Sequence, residues 1–97
     1  MADDIDRIIH EPARLNILVC LCNVDSADFI FLMHQTGMSW GNLSSHLSKL
    51  EASGYVEIKK DFVGKKPHTM VMLTGRGKDA IRDYCRKMKG VIDRLPD

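Results

Sequence analysis

Residues 39–73 constrain the fold more tightly than any other part of the chain. SWGNLSSHLSKLEASG repeats its apolar residues at helical period, and YVEIKK then switches at once to strand period. At ~100° per residue, Leu47 and Leu50 fall within ~40° of Leu43, which makes one buried stripe. Ser39 is placed to cap this helix, which runs to about Ala52, and Gly54 closes it. In the next segment apolar Val56 and Ile58 alternate with charged Glu57 and Lys59, the pattern of a strand with one buried face. FVGKKPH follows as a turn-rich loop, and TMVMLT is a second alternating strand. The segment therefore reads as a helix followed by a β-hairpin with a long basic tip.

The flanks add helices. IDRIIH at 5–10 reads as a short helix, with Pro12 at the start of the next. From Glu11 to Val24 the pattern is helical and apolar nearly all round. Ala13, Ile17, Leu18, Leu21 and Val24 lie on one side, with Leu15, Val19 and Cys22 on the other, so both sides are expected to be covered. Asp25 or Ser26 supplies cap chemistry for a second helix through ADFIFLMHQ, which Gly37 ends. Thr74 caps a long last helix from about Arg76 to Leu95. The order is helix, helix, short turn, helix, hairpin, long helix. The expected class is mainly α with a small β-hairpin wing: a winged helix-turn-helix with a long C-terminal helix.

At 97 residues the chain is expected to form one domain, with a core over about 11–73. The longest apolar runs fall well short of the ~20 residues a membrane span needs. MADDID does not resemble a secretory leader, and three cysteines in apolar surroundings suit a reducing compartment. Cytoplasmic localisation is the expectation. Net charge is only +1, but its distribution is uneven. Residues 1–48 hold two Lys/Arg against six Asp/Glu, and residues 49–97 hold twelve against seven. A nearly neutral chain with a basic half can still present a basic face.

The polar residues of the 39–52 helix raise two alternatives, catalysis and recognition. Ser45 and His46 are adjacent, so their side chains diverge by ~100° and do not meet as a nucleophile and base must. No third group is placed to orient the histidine, and no catalytic residue is assigned. Ser45 points away from the leucine stripe, with Gly41 and Ser48 within ~60° of it. Asn42, Ser44 and Lys49 fill the flanks. Small residues let a helix approach the floor of a major groove, and serine and asparagine can bond to bases or phosphates. Ser39, Trp40, Gly41, Asn42, Ser44, Ser45, Ser48 and Lys49 are the expected contact set.

Two stretches, GNLSSHLSKLEASGYVEI and KKPHTMVMLTGRG, carry a family likeness. From about Ile9 to Val91 the chain resembles the small bacterial and archaeal winged-helix transcriptional regulators related to MarR and ArsR. The resemblance implies a homodimer on operator DNA, with residues 39–49 in the major groove. It also implies a basic wing tip of Lys60, Lys65, Lys66 and His68 on the backbone or minor groove. Positions matching Trp40, Gly41, Ser44 and Ser45 carry contacts in such families, although Trp40 departs from their small or polar residue there. MarR-like relatives often bind small molecules, so an unidentified small-molecule effector belongs to what the resemblance implies.

Cys20 and Cys22 point ~160° apart on a helix and cannot share one ion without unwinding it. They read as small buried hydrophobes, with Cys85 a redox candidate if exposed. No metal or cofactor is expected. On the last helix Ile81, Tyr84, Met88, Val91 and Leu95 form an apolar seam. With Ile5, Ile8, Ile9 and Leu15 it is the expected dimer interface, formed by helices over 5–10 and 75–95. A two-fold dimer would place its recognition helices ~34 Å apart and favour an inverted-repeat operator. The rival reading from another class is a winged helix that binds a partner protein through the same surfaces.

Overall fold

A computed structural model describes residues 4–97. The elements are α1 (Pro12–Cys22), β1 (Ala27–Asp28), α2 (Phe29–Thr36), α3 (Trp40–Ala52), β2 (Val56–Val63), β3 (Lys66–Leu73) and α4 (Gly75–Asp93). The three strands form one antiparallel sheet in the order β1-β3-β2. This is the winged helix expected from the sequence, with an additional short strand.

The caps arise from local chemistry. Ser39 accepts the Asn42 amide at 3.2 Å, and Thr74 accepts the Gly77 amide at 2.9 Å. Gly37 ends α2 with φ 72°, in the left-handed region that glycine enters without steric cost. The cap of α2 is Asp28, which accepts from Ile30 and Phe31; it is neither Asp25 nor Ser26. Ala27 and Asp28 pair with Val71 and Met70 of β3, so the chain stays extended until the sheet releases it.

Residues 5–10 form a turn and not the expected helix. Asp6 accepts the amides of Ile8 and Ile9 at 2.8 and 3.2 Å, and its carbonyl accepts from His10 at 2.8 Å. The helix then has to restart, because Pro12 disfavours helical geometry in the residue before it. Glu11 is accordingly extended (φ −147°, ψ 126°), and its carboxylate caps α1 through Ala13 and Arg14.

The wing is also more regular than its sequence suggests. β2 and β3 pair without interruption from Val56↔Leu73 to Val63↔Lys66, which leaves only Gly64 and Lys65 in the turn. Gly64 has φ 65°, as a two-residue hairpin turn favours. Pro67 sits inside β3, beyond the reach of β1, where one side of the strand is a free edge that tolerates a missing donor.

Leu43, Leu47 and Leu50 are fully buried against Ile17, Leu18, Leu21, Leu32 and Val71. Ile5, Ile9 and Tyr84 belong to this same core. That corrects their assignment to a dimer interface, since each is already covered by its own chain. Tyr84 also bonds His10 at 2.9 Å, and this bond holds α4 to the N-terminal turn. Ile8, Leu15, Ile81, Met88 and Val91 are partly buried, whereas Ile92 and Leu95 near the end of α4 are exposed. The molecule is elongated, 55 × 25 × 21 Å.

Candidate nucleic-acid interface

The leucine stripe fixes which way α3 faces. Ser39, Trp40, Gly41, Asn42, Ser45, Ser48 and Lys49 are exposed, and Ser44 is half-buried. A side chain added at Gly41 would meet no heavy atom within 4 Å, so core packing does not require glycine there. The outward face of α3 is low and uncharged as far as Lys49.

Behind this face lies a polar clamp centred on Arg14, the one charged residue buried among the described residues. Its Nε donates to the Ile8 carbonyl at 2.6 Å and a terminal nitrogen donates to the Arg7 carbonyl at 3.4 Å. Its other terminal nitrogen lies 3.2 Å from His46 Nδ1 and 3.5 Å from the Glu11 carboxylate. The clamp ties the N-terminal turn, α1 and α3 together. Burial pushes the Glu11 carboxyl up, but its two amide donors and the His46 and Arg14 charges bring it below the ordinary value. His46 Nδ1 also lies 3.4 Å from Glu11. The ring thus faces this cluster, whereas Ser45 faces solvent. Sequence reasoning does not single out Arg14; a lone arginine inside an otherwise apolar helix is the signal that could have found it.

Trp40 stands at the start of α3, 63% exposed, with its ring tilted 50° against Phe29 at a centroid distance of 5.6 Å. It borders a groove of about 670 Å³ between α3 and the wing, which Ile30, Ser48, Glu51, Lys60 and Thr69 also line. Trp40 is therefore only partly a packing residue, and most of its surface lies beside the exposed face.

On the wing, Lys60, Lys65 and Lys66 are exposed, and no ion pair holds them among the described residues. His68 departs from the expected basic tip. It is half-buried on β3, opposite Asp61 of β2, and pairs with Asp28. Burial raises the Asp28 carboxyl, while the Ile30 and Phe31 amides and His68 hold it below its ordinary value overall. The helical pattern places Asp28 inside the second helix, and only the approach of β3 to its cap reveals the pairing. Phe62 and Val63, 67% and 64% exposed beside the lysines, are further surface features that the alternation pattern does not single out.

Among the described residues no group of three or more His, Cys, Asp or Glu is arranged to hold a metal ion. No helix among them is long and apolar enough to cross a membrane. Cys20 is half-buried, but Cys22 and Cys85 are exposed, which corrects the expectation of a buried Cys22.

Residues 13–92 match the winged helix DNA-binding domain family. The chain belongs to that family. An uncharacterised protein of Methanocaldococcus jannaschii is 32% identical over 78 residues, spanning 80% of this chain and 85% of that protein. The structure of a transcriptional regulator homologue from Pyrococcus horikoshii superposes with a TM-score of 0.84 at 31% identity. The match covers 91% of this chain and 87% of that one. NadR, solved with 4-hydroxyphenylacetate, shares the fold at 20% identity and a TM-score of 0.71. That match covers 89% of this chain and 63% of NadR. The chain is thus a winged-helix protein of the transcriptional-regulator type, similar to MarR- and ArsR-like regulators in fold.

Proposed function

We propose that this winged-helix chain binds duplex DNA sequence-specifically as a homodimer, with α3 in the major groove and the wing on the neighbouring backbone or minor groove. The observation that carries the reading is the outward face of α3. Gly41, Ser45 and Ser48 present little bulk, Lys49 follows them, and a buried leucine stripe fixes their direction. Ser45, Ser48 and Asn42 have the donors and acceptors to read base edges. Ser39, Ser44, Lys49, Lys60, Lys65 and Lys66 are suited to phosphate oxygens. Trp40 lies against the sugar–phosphate edge.

The dimer forms through Ile81, Met88 and Val91 of α4 and Leu95 just beyond its end, with Ile8 and Leu15 at its margin. Exposure of Leu95 and Ile92 supports this, because an isolated chain would leave that end of the seam in water. Two-fold symmetry then favours an inverted-repeat operator with half-sites ~34 Å apart. Cytoplasmic localisation accompanies this reading. A small-molecule effector is part of it as well, supported by the ligand in the NadR structure.

Selection of bound duplexes from a random pool tests the proposal, together with affinity measured against salt. A palindromic consensus is expected. Replacing Lys65 and Lys66 by alanine should lower the salt slope by about 1 for each lysine that neutralises a phosphate. Duplex binding with no salt slope, unaffected by both replacements, would refute the wing assignment. A second reading, a protein partner on the same surface, is favoured by the exposure of Trp40, Phe62 and Val63. It predicts no duplex enrichment at all.

A further inference from the structure

A second groove, also of about 670 Å³, lies away from the α3 face, where the end of α1 meets the first half of α4. Cys22 and Val24 line it from the α1 side, and Lys78, Ile81, Arg82 and Cys85 from α4. Two thiols 63 positions apart in the sequence thus share one cleft, and both are exposed. Cys20 is different: it is half-buried, packs on the core and does not line the groove. Asp25 contributes one anion to the lining, opposed by the Lys78 and Arg82 cations.

We propose that Cys22 and Cys85 form a reversible dithiol–disulfide site that staples α4 to the end of α1. The co-reactant is a peroxide. The Cys85 sulfur takes one oxygen as the O–O bond breaks and water leaves, which gives a sulfenic acid. The Cys22 sulfur then attacks the Cys85 sulfur, the S–O bond breaks, and hydroxide leaves with the Cys22 proton as a second water. Two thiols are oxidised by two electrons, and one peroxide is reduced to two waters.

The environment suits the order of these steps. Partial burial and the nearby charge of Cys85 push the Cys22 thiol up, so the first attack on peroxide falls to Cys85, and Cys22 gives up its proton only as it attacks the sulfenic acid. Cys85 is exposed and shares its helix face with Arg82 and Lys89, at i−3 and i+4, where the oxidant reaches it from solvent. Closing the bond requires the two Cα atoms to lie about 4.4–6.8 Å apart. Oxidation therefore narrows the groove and fixes the angle at which α4 leaves the body. This site does not depend on the DNA-binding reading and can be tested without it.

The full chain is titrated with hydrogen peroxide and with diamide, and free thiols are counted under denaturing conditions. The count should fall from the three cysteines of the sequence to one. Peptide mapping should show an intrachain Cys22–Cys85 link that dithiothreitol reverses. The oxidised chain should melt higher by on the order of 10 °C, because a long loop is closed. C22S and C85S should each abolish the link and the thermal shift, and C20S should retain both. Three thiols that persist under both oxidants overturn the site. So does a link to Cys20, or one that joins two chains.

Discussion

Replacing Gly77 by alanine should destabilise the chain through a single backbone clash. Gly77 lies in the first turn of α4, and a Cβ there would sit 2.1 Å from the Tyr55 carbonyl oxygen and 3.0 Å from its carbon. Relief requires the backbone itself to shift, because no flexible side chain is involved. The Tyr55 oxygen already accepts from the Thr74 amide at 3.1 Å, and the Tyr55 amide donates to Leu50 at 3.0 Å, so both sides of that residue are pinned. Overpacking of this kind costs about 1–3 kcal/mol. Disturbing the Thr74 cap adds about 1 kcal/mol, and a better helix former returns about 0.5–1 kcal/mol. The net loss is about 1–3.5 kcal/mol, or roughly 5–25 °C in melting temperature for a chain of this size. Gly90 is the control: it is exposed in the same helix, and an added Cβ would meet nothing within 4 Å. Gly90→Ala should keep the propensity gain alone and melt a few degrees higher. Circular dichroism against temperature and urea measures both variants. A Gly77→Ala variant as stable as the parent, or a Gly90→Ala variant that falls equally far, would refute the steric reasoning.

Three further outcomes rest on the polar groups. Arg14→Met should lower stability by about 2–4 kcal/mol in urea titration, because the Ile8 and Arg7 carbonyls lose their donor; an unchanged midpoint contradicts the clamp. Asp28 is held below its ordinary 3.8, so its contribution is full above that pH and is lost as pH falls through the depressed value. The unfolding free energy of Asp28→Asn should then vary less with pH below about 4 than that of the parent; identical slopes count against the pairing. Tyr55 is pushed up to about 12 by burial and by its 2.5 Å bond to Asp6. Its contribution is complete below the unfolded value of about 10 and is lost as pH rises through about 12. Ultraviolet titration should show phenolate appearing later in the native than in the unfolded chain, and Asp6→Asn should bring Tyr55 earlier.

Helix α3 shows what local chemistry makes legible. Its stripe of Leu43, Leu47 and Leu50, its Ser39 cap and the Gly37 that ends the preceding helix all act within a few residues, and periodicity and cap preference suffice to find them. The direction of Ser45 follows from the same stripe. Arg14, in contrast, is marked locally only as a lone arginine in an apolar helix, which does not tell its role. Its partners lie on the N-terminal turn and on α3, so only the packed chain shows why it is buried. His68 has the sequence setting of one more basic residue of the tip, yet β3 carries it beside the cap of α2.

The sequence by itself determined the order of the main helices and the hairpin, the winged-helix class and the outward face of α3, because each rests on spacing or on a cap a few residues away. Only the tertiary structure decided which apolar residues the chain covers for itself. Ile5, Ile9 and Tyr84 have the same spacing as residues that could face a partner, and their burial depends on where α4 and the N-terminal turn dock. It also decided that Cys22 and Cys85 share a groove, since their 63-position separation is bridged by packing and by nothing in the local pattern.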